Sequence, residues 1–243
     1  MGINISIITI NYNNAKGLQK TIQSVIHQTY KGFEYIVVDG NSSDQSREII
    51  NENAKISSDI LLKWISEPDN GIYNAMNKGI RMASGKYLLF LNSGDWLADN
   101  NVIELVMPYL KGEYEIVSGE LVLVKNAKES IQLVPPQAVN LNYCIHSGLT
   151  HPNTFIKKDL FKKYGYYNEQ NKIVSDWEFF LIVCGLKKCK YQVIPVLISF
   201  FVMDGISVQN DALLKYETKN ALKRLLPWWK KIEILIRRIW KYQ

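Results

Sequence analysis

Apolar and polar positions in the first hundred residues form alternating strand and helix patterns. Four short runs have the β-branched and aromatic composition of buried strands: residues 3–10, 34–39, 60–66 and 86–91. Three segments between these runs read as helices: residues 15–28, 43–55 and 70–83. Ser42 or Ser43 is expected to cap the second of them. Alternating strands and helices predict right-handed crossovers and a mainly parallel sheet flanked by helices.

The second half of the chain is less regular. We predict strands over residues 117–124 and 191–202, and helices over residues 159–164 and 176–186. The segment 135–150 is expected to be a long loop. The whole pattern therefore predicts an α/β fold whose second half departs from simple alternation.

A helical tail is predicted from about Asp211, and Pro227 restarts a second helix within it. The apolar residues of this second helix share one arc of a helical wheel: Trp228, Trp229, Ile232, Leu235, Ile236, Ile239 and Trp240. Basic residues share the opposite arc: Lys230, Lys231, Arg237, Arg238 and Lys241. A basic amphipathic helix is typical of peripheral membrane contact. Packing on the main domain, or on a second subunit of a homo-oligomer, is the alternative interpretation.

The charge distribution limits the possible partners. The net charge is +6, but nine basic and two acidic residues lie from Lys215 onward, so the preceding residues carry −1. A nucleic-acid-binding domain would present basic residues over its folded surface, and nucleic acid is therefore not an expected partner.

Targeting and redox signals favour the cytoplasm. No apolar stretch reaches the roughly 18 residues of a spanning helix, and the N-terminus lacks the basic region of a signal peptide. We expect a cytoplasmic protein that contacts the inner face of the membrane through its tail. Three cysteines, Cys144, Cys184 and Cys189, are an odd number without CxxC spacing, which predicts buried thiols rather than a zinc site.

Polar side chains cluster where the predicted strands of the first half end. The positions at or just beyond those ends are Asn11, Asp39, Glu67, Asp69, Asn92 and Asp95. Ligands of parallel sheets bind beyond the carboxyl ends of the strands, so these side chains should share one crevice. Asn92 and Asp95 follow a buried strand in LLFLNSGDW, and their oxygen atoms suit Mg²⁺ or Mn²⁺ with phosphate as a further ligand.

Three segments in this order carry a family resemblance: TINYNN, VVDGNSSDQS and EPDNGIYNAMNKGIRMASGKYLLFLNSGD. The chain resembles family 2 glycosyltransferases of the GT-A fold, in particular bacterial enzymes of capsule, O-antigen and exopolysaccharide synthesis. The similarity is strong over residues 3–100, continues through HPNTFIKKDLFKKYGYYNEQNKIVSDWEF and fades after about residue 207. It implies inverting transfer of a sugar from a nucleoside diphosphate donor to a hydroxyl of a glycan or of a polyprenyl-linked acceptor.

The resemblance assigns donor-binding roles to a set of residues in the first half: Thr9, Asn11, Asp39, Asp69, Asn77 and Asn92. Asp39 matches an acid that accepts from the imino group of uracil, which favours a UDP-sugar. Met76 stands where many members have arginine. Asn92 replaces the first acid of a DxD-type motif, which leaves Asp95 as the main protein ligand of Mn²⁺ or Mg²⁺.

The resemblance places the acceptor chemistry in the second half. Asp176 in SDWEF matches the catalytic base, and His151 in HPN matches a histidine that precedes the acceptor region. Trp177 and Glu178 are further acceptor candidates, and Ser207 lies in MDGISVQ, which matches a lid over the donor. Bridging loop segments is an alternative role for His151, and a favourable helix-dipole position is one for Glu178.

Aromatic side chains beside the motif acids have two interpretations. Tyr73, Trp96 and Trp177 could stack on a sugar or a base, or they could pack in the core.

These assignments divide the chain into a catalytic domain, residues 1–210, and a helical tail, residues 211–243. Within the domain, residues 1–100 would bind the nucleotide and residues 101–210 the acceptor.

Two other functions fit the sequence less well. A sugar nucleotidyltransferase would carry a Gly-rich basic phosphate loop after its first strand, and TINYNNAKG lacks this character. A noncatalytic membrane-associated scaffold would not need both Asp95 and Asp176.

Overall fold

The computed structural model describes residues 4–56, 59–125, 129–203, 210–228 and 230. Within these residues the strands are β1 Ile5–Asn11, β2 Phe33–Asp39, β3 Leu61–Ser66, β4 Tyr87–Phe90, β5 Trp96–Leu97, β6 Ile116–Val124, β7 Ser130–Leu133, β8 Thr154–Lys157 and β9 Tyr191–Val202. They form one nine-stranded sheet in the order β3-β2-β1-β4-β8-β6-β9-β5, with β7 paired to β6.

The helices of the same residues flank this sheet. They are α1 Ala15–Ile26, α2 Ser46–Ile56, α3 Ile72–Met82, α4 Val102–Val106, α5 Leu141–His146, α6 Asp159–Tyr164, α7 Ser175–Phe180 and α8 Asp211–Leu225. Short 3₁₀ turns cover Tyr109–Lys111 and His151–Asn153, and α7 continues into a π-helical turn at Leu181–Leu186. No helix in the described ranges has the length and apolar character needed to cross a membrane.

The first half confirms the predicted parallel arrangement. β3, β2, β1 and β4 are parallel neighbours, and β1, β2 and β4 are buried along their whole length. The predicted first helix is confirmed as α1, and its residues Leu18, Ile22 and Val25 are buried against one face of the sheet. On the other face Met76 and Ile80 of α3 belong to a second apolar cluster.

The second half adds antiparallel pairs to the sheet. β8 lies antiparallel between β4 and β6, while β9 runs parallel to β6. The predicted loop over residues 135–150 is wrong in part, because α5 occupies Leu141–His146. Asn140 caps this short helix by accepting from the Tyr143 N–H, and this local signal was not recognised from the sequence.

The expected cap of α2 is also wrong. Ser42 instead donates its hydroxyl to Asp39 at 2.6 Å, and the Ser43 N–H donates to Asn13. The first turn of α2 begins at Ser46, whose N–H donates to the carboxylate of Asp44. The acid in GNSSDQS therefore takes the role expected of the serines.

Helix α8 packs on the main domain. Ala221 is buried, and Leu222 and Leu225 contact the apolar cluster that includes α3. The second tail helix, predicted beyond Pro227, lies almost wholly outside the described residues, as do Ser207 and the predicted lid.

All three cysteines are free thiols, as predicted. Cys144 and Cys184 are buried and Cys189 is half-buried, with 2.9 Å between the sulfur atoms of Cys184 and Cys189. Burial raises the pKa of Cys144 to about 12, so its thiol is unreactive at neutral pH.

A buried carboxylate links neighbouring strands at their amino-terminal ends, on the side of the sheet away from the polar crevice. Glu34 of β2 accepts from Ser6 on β1, from Lys63 on β3 and from the Ser84 hydroxyl and the Gly85 N–H before β4. Burial raises the pKa of Glu34, but these hydrogen bonds outweigh that effect and lower it to about 2. Glu34 is therefore ionised and joins three parallel strands at this end.

Candidate active site

The carboxyl ends of β1, β2 and β4 meet in one crevice, as the sequence predicts. Asn11 and Asp39 are directly paired at the last positions of β1 and β2. Asn92 and Asp95 lie on the turn after β4, where the Asp95 N–H donates to the Asn92 carbonyl at 2.9 Å. Gly94 within this turn has a positive φ of 108°, a conformation that favours glycine.

Asp39 is the hydrogen-bonding hub of the crevice. Its Oδ1 accepts from Asn11 at 2.8 Å and from the Ser42 hydroxyl at 2.6 Å. Its Oδ2 accepts from the Ser42 N–H at 3.0 Å and from the Ser66 hydroxyl at 2.6 Å. Burial raises the pKa of Asp39, and these four bonds more than offset it, so the pKa is lowered. Since the buried carboxylate already accepts four bonds, its contacts do not support a direct bond to uracil.

Asn11 presents an acceptor beside this hub. Its Nδ2 faces the Asp39 carboxylate, and this contact fixes which end of the amide is the donor. The Oδ1 atom is buried and has no hydrogen-bond partner among the described residues. Asn11 therefore offers an oriented acceptor for an N–H or O–H group.

Asp69 and Tyr12 border the same crevice. A Cβ atom at Gly40 would lie 2.5 Å from Oδ2 of Asp69 and 3.2 Å from the ring of Tyr12. Only glycine allows this close approach. Tyr12 is 67% exposed, which the sequence does not predict, because an aromatic residue after a strand carries no signal of its exposure. Its ring is available for stacking beside the hub.

Thr9 and Asn77 are engaged inside the protein. The Thr9 hydroxyl donates to the Leu91 carbonyl at 2.7 Å and accepts from Tyr35 at 2.9 Å. Asn77 donates to the Tyr167 carbonyl and to Glu169, and its oxygen accepts from the Tyr167 N–H. Both side chains are buried, so their contacts support structural roles rather than the expected donor-binding roles.

Asp95 is buried at the base of the crevice. Its Oδ1 accepts from the Val202 N–H at 3.3 Å, and its backbone carbonyl accepts from Thr21 at 2.7 Å. The nearby Oδ1 of Asn92 is buried without a hydrogen-bond partner among the described residues. The described ranges contain no cluster of three His, Cys, Asp or Glu that could hold a metal alone. The side-chain oxygens of Asn92 and Asp95 suit a hard cation, whose remaining ligands would come from phosphate and water.

A hydrogen-bonded row links this turn to Asp176. Asn92 Nδ2 lies 3.1 Å from His151 Nε2, and His151 Nδ1 lies 2.9 Å from Asp176 Oδ2. The Tyr73 hydroxyl lies 2.9 Å from Asp176 Oδ1 and 2.6 Å from the Ile173 carbonyl. The structure thus brings together Asn92, His151 and Asp176, which are widely separated in the sequence. The Tyr73 hydroxyl was not anticipated.

The electrostatics of this row keep Asp176 ionised. Burial raises its pKa, but the hydrogen bonds from His151 and Tyr73 lower it below the ordinary value. The Asp176 side chain is 18% exposed, against 12% for His151. Burial and the adjacent Asp176 charge raise the pKa of Tyr73, which stays a neutral hydroxyl.

The neighbours of Asp176 point away from it. Trp177 donates its Nε1–H to the Cys144 carbonyl at 2.7 Å, and Glu178 pairs with Arg224 at 2.5 Å. These contacts give both side chains packing roles and do not support direct roles with an acceptor.

Two side chains of the protein contact the ring of Trp96. Phe200 stacks on it at a centroid distance of 5.0 Å, and the Lys20 ammonium lies 2.8 Å from the ring centroid. A sugar or base would have to displace one of these groups. The core interpretation is therefore favoured for Trp96.

The sequence profile described as "Glycosyl transferase family 2" matches residues 6–170. Relatives agree with this match. A PGL/p-HBAD biosynthesis glycosyltransferase of Mycobacterium tuberculosis is 30% identical over 178 residues, which cover 72% of this chain and 67% of the relative. An uncharacterized glycosyltransferase of the same species is 32% identical over 190 residues, 74% of this chain and 70% of the relative.

Solved structures show the same fold. S. aureus TarS in complex with UDP superposes with a TM-score of 0.67 at 19% identity, covering 82% of this chain and 60% of that one. The Pyrobaculum calidifontis mannosyltransferase PcManGT, in complex with GDP-Man and Mn²⁺, gives 0.65 at 15% identity, with coverages of 82% and 56%. The present chain thus spans about three fifths of these structures.

The α/β fold and the crevice of carboxylates define a GT-A type transferase. The chain belongs to glycosyl transferase family 2 and is a glycosyltransferase enzyme. Family membership favours sugar transfer over the two alternatives, a sugar nucleotidyltransferase and a noncatalytic scaffold.

Proposed function

We propose that this enzyme transfers one sugar, with inversion, from a UDP-sugar to a hydroxyl of a glycan or lipid-linked acceptor in bacterial surface polysaccharide synthesis. The observation that carries the proposal is the row from Asn92 through His151 to Asp176. It places an ionised carboxylate beside the turn that carries Asp95. Inverting transfer needs a base on the acceptor side and charge stabilisation on the donor side, and this arrangement can supply both.

The donor would lie over the carboxyl ends of β1, β2 and β4, within residues 1–100. Asn11 Oδ1 would accept from the nucleobase or ribose, Asp69 lies against Gly40 at the end of β2, and the exposed ring of Tyr12 can stack on a base. TarS is solved in complex with UDP-GlcNAc, and PcManGT is solved in complex with GDP-Man. Asp39 would act indirectly, by holding Asn11 and Ser42 in place.

Asp95 would hold the divalent cation, Mn²⁺ or Mg²⁺, with the Asn92 amide oxygen close to the donor phosphates. The bound cation would supply counter-charge for the leaving diphosphate. Two groups already fix the turn before any ligand binds, because Val202 holds the Asp95 carboxylate and Thr21 holds its carbonyl. The Asn92 side chain is oriented by His151.

The acceptor would approach from residues 101–210, on the side of Asp176. Asp176 would take the proton of the attacking hydroxyl as the new glycosidic bond forms and the bond to the diphosphate breaks. His151 Nδ1–H and the Tyr73 hydroxyl would hold the carboxylate in place. Because these hydrogen bonds also lower the pKa of Asp176, the base is ionised throughout the neutral range.

A donor panel tests this function. Purified enzyme is incubated with UDP-, GDP- and dTDP-sugars, with Mn²⁺ or with EDTA, and the release of nucleoside diphosphate is measured. We expect release from one or a few UDP-sugars, dependent on the metal and increased by a glycan acceptor. Release from GDP- or dTDP-sugars alone would contradict the UDP assignment. Equal release in EDTA would contradict the metal.

Contact with the inner face of the cytoplasmic membrane would bring the enzyme to a lipid-linked acceptor. Trp228, where the predicted amphipathic helix begins, is 73% exposed. Full-length protein and a variant that lacks residues 227–243 are sedimented with phosphatidylglycerol and with phosphatidylcholine vesicles. We expect salt-sensitive binding of the full-length chain to the anionic vesicles alone. A change of oligomeric state on truncation, without vesicle binding, would instead assign the segment to subunit packing.

A further inference from the structure

Helix α8 contacts the segment that carries Asp176 through a buried carboxylate. Glu217 Oε1 accepts from the Lys172 N–H at 2.8 Å, and its Oε2 accepts from the Ile173 N–H at 3.0 Å. The Glu217 residue is 6% exposed. Both oxygens of one side chain thus hold two successive backbone groups, three to four residues before Asp176.

A second polar contact lies beyond Asp176. Arg224 of α8 pairs with Glu178 Oε1 at 2.5 Å, while Glu178 Oε2 accepts from Asn171 at 2.8 Å. The Glu178 side chain is only 9% exposed, whereas that of Arg224 is 50% exposed. The contacts of α8 therefore bracket Asp176 on both sides along the chain.

The same segment also touches the groups that hold Asp176. The Ile173 N–H is held by Glu217, and its carbonyl lies 2.6 Å from the Tyr73 hydroxyl, whose single proton is shared between this carbonyl and Asp176. A shift of residues 171–173 would therefore move the support of Asp176 as well as its backbone. Apolar packing alone would hold α8 on the domain. The hydrogen bonds that the buried Glu217 carboxylate accepts also fix the position of the helix along its axis.

We propose that α8 is a positioning element of the catalytic site, and that Glu217 and Arg224 set the place of the Asp176 carboxylate. The proposal rests on the assignment of Asp176 as the base. It gives the first helix of the tail a part in turnover that is separate from membrane contact. The hydrogen bonds of Glu217 and Arg224 go to Lys172, Ile173 and Glu178, so both residues would act through Asp176.

Glu217→Gln tests the first contact. Glutamine keeps the size of the side chain, but its NH₂ group would face one of the two backbone N–H groups, so one bond is lost. We expect kcat to fall about 10-fold to 100-fold, because small displacements of a reacting group have effects of this order. UDP affinity in Mn²⁺ should stay unchanged. Lys219→Gln, at an exposed position of the same helix, is the matched control and should retain the parent kcat.

A double-mutant cycle separates positioning from general stability. If Glu217 acts through Asp176, Glu217→Gln should cause no further loss of kcat in the Asp176→Asn background. Loss by the same factor in both backgrounds would overturn the proposal. Near-normal turnover of Asp176→Asn alone would instead contradict the proposed base, so the two failures are distinguishable.

Substitution of Arg224 is less prone to cause misfolding, because half of its side chain is exposed to solvent. Arg224→Gln should lower kcat, and Arg224→Lys should restore part of it by keeping a charge opposite Glu178. Circular dichroism and Tm are measured for every variant. Full activity of folded Arg224→Gln and Glu217→Gln would overturn the proposal, as would unfolding of both, because α8 would then serve the fold alone.

Discussion

Replacing Asp176 by asparagine is expected to reduce kcat by about 100-fold or more while donor binding is retained. Asparagine keeps the size of the side chain but cannot take the proton of the acceptor hydroxyl. Its NH₂ group can face the Tyr73 oxygen, which accepts while its own proton goes to the Ile173 carbonyl, and the asparagine oxygen can still accept from His151 Nδ1–H, so the site is expected to stay folded. Initial rates with a saturating donor, together with calorimetric UDP affinity, check this expectation.

Asp159→Asn makes the same chemical change at an exposed position of α6, where the carboxylate only approaches Lys162. It should retain the parent rate and serves as the matched control. If Asp176→Asn turned over at the rate of Asp159→Asn, the base would have to be another group. An equal loss of UDP affinity and rate would point to a donor-side role for Asp176.

Replacing Asp95 by alanine is expected to abolish measurable transfer and to remove the effect of Mn²⁺ on UDP affinity. The diphosphate would lose its main counter-charge, because the other side chains of the turn, Asn92 and Ser93, are neutral. The measurement is UDP titration of parent and variant, each in Mn²⁺ and in EDTA.

Asp99→Ala, four residues further along, removes an exposed carboxylate whose bond is to the adjacent Asn100 N–H. Its metal dependence should match that of the parent. Parent-like UDP binding by Asp95→Ala, with the same response to Mn²⁺, would remove Asp95 from the metal site. A lower Tm in Asp95→Ala would show the structural part of its role, through Val202.

The sequence predicts the parallel half of the fold well because strands β1, β2 and β4 are continuous buried apolar runs and turn residues separate them from the helices. β2, α3 and β4 begin and end within about two residues of their predicted bounds. The antiparallel half is harder, because β5 and β8 have two and four residues and are stabilised by partners distant in sequence. Such short strands have no periodicity of their own.

The sequence predicts which site residues share a crevice better than it predicts the hydrogen bonds that each of them makes. Strand-end position brings Asn11, Asp39, Asn92 and Asp95 to one crevice, but it does not reveal that Asp39 is saturated by Ser42 and Ser66. The contact between His151 and Asp176 joins a 3₁₀ turn to the first turn of α7, 25 residues further along the chain, so only the folded chain shows it. The role of Glu217 has no sequence signal, because a glutamate in a polar helix usually faces solvent.

Strand β2 carries a carboxylate at each end, and both are matched to their cross-strand neighbours. Glu34 is paired in register with Ser6 and bonds to it, and Asp39 is paired with both Asn11 and Ser66 and bonds to each. The residues between them, 35–38, are buried, and among them the Tyr35 hydroxyl bonds to Thr9 of β1. A slip of one position would pull both charges away from their donors at once. The two acids, one near each end of β2, therefore favour a single register of the central strands.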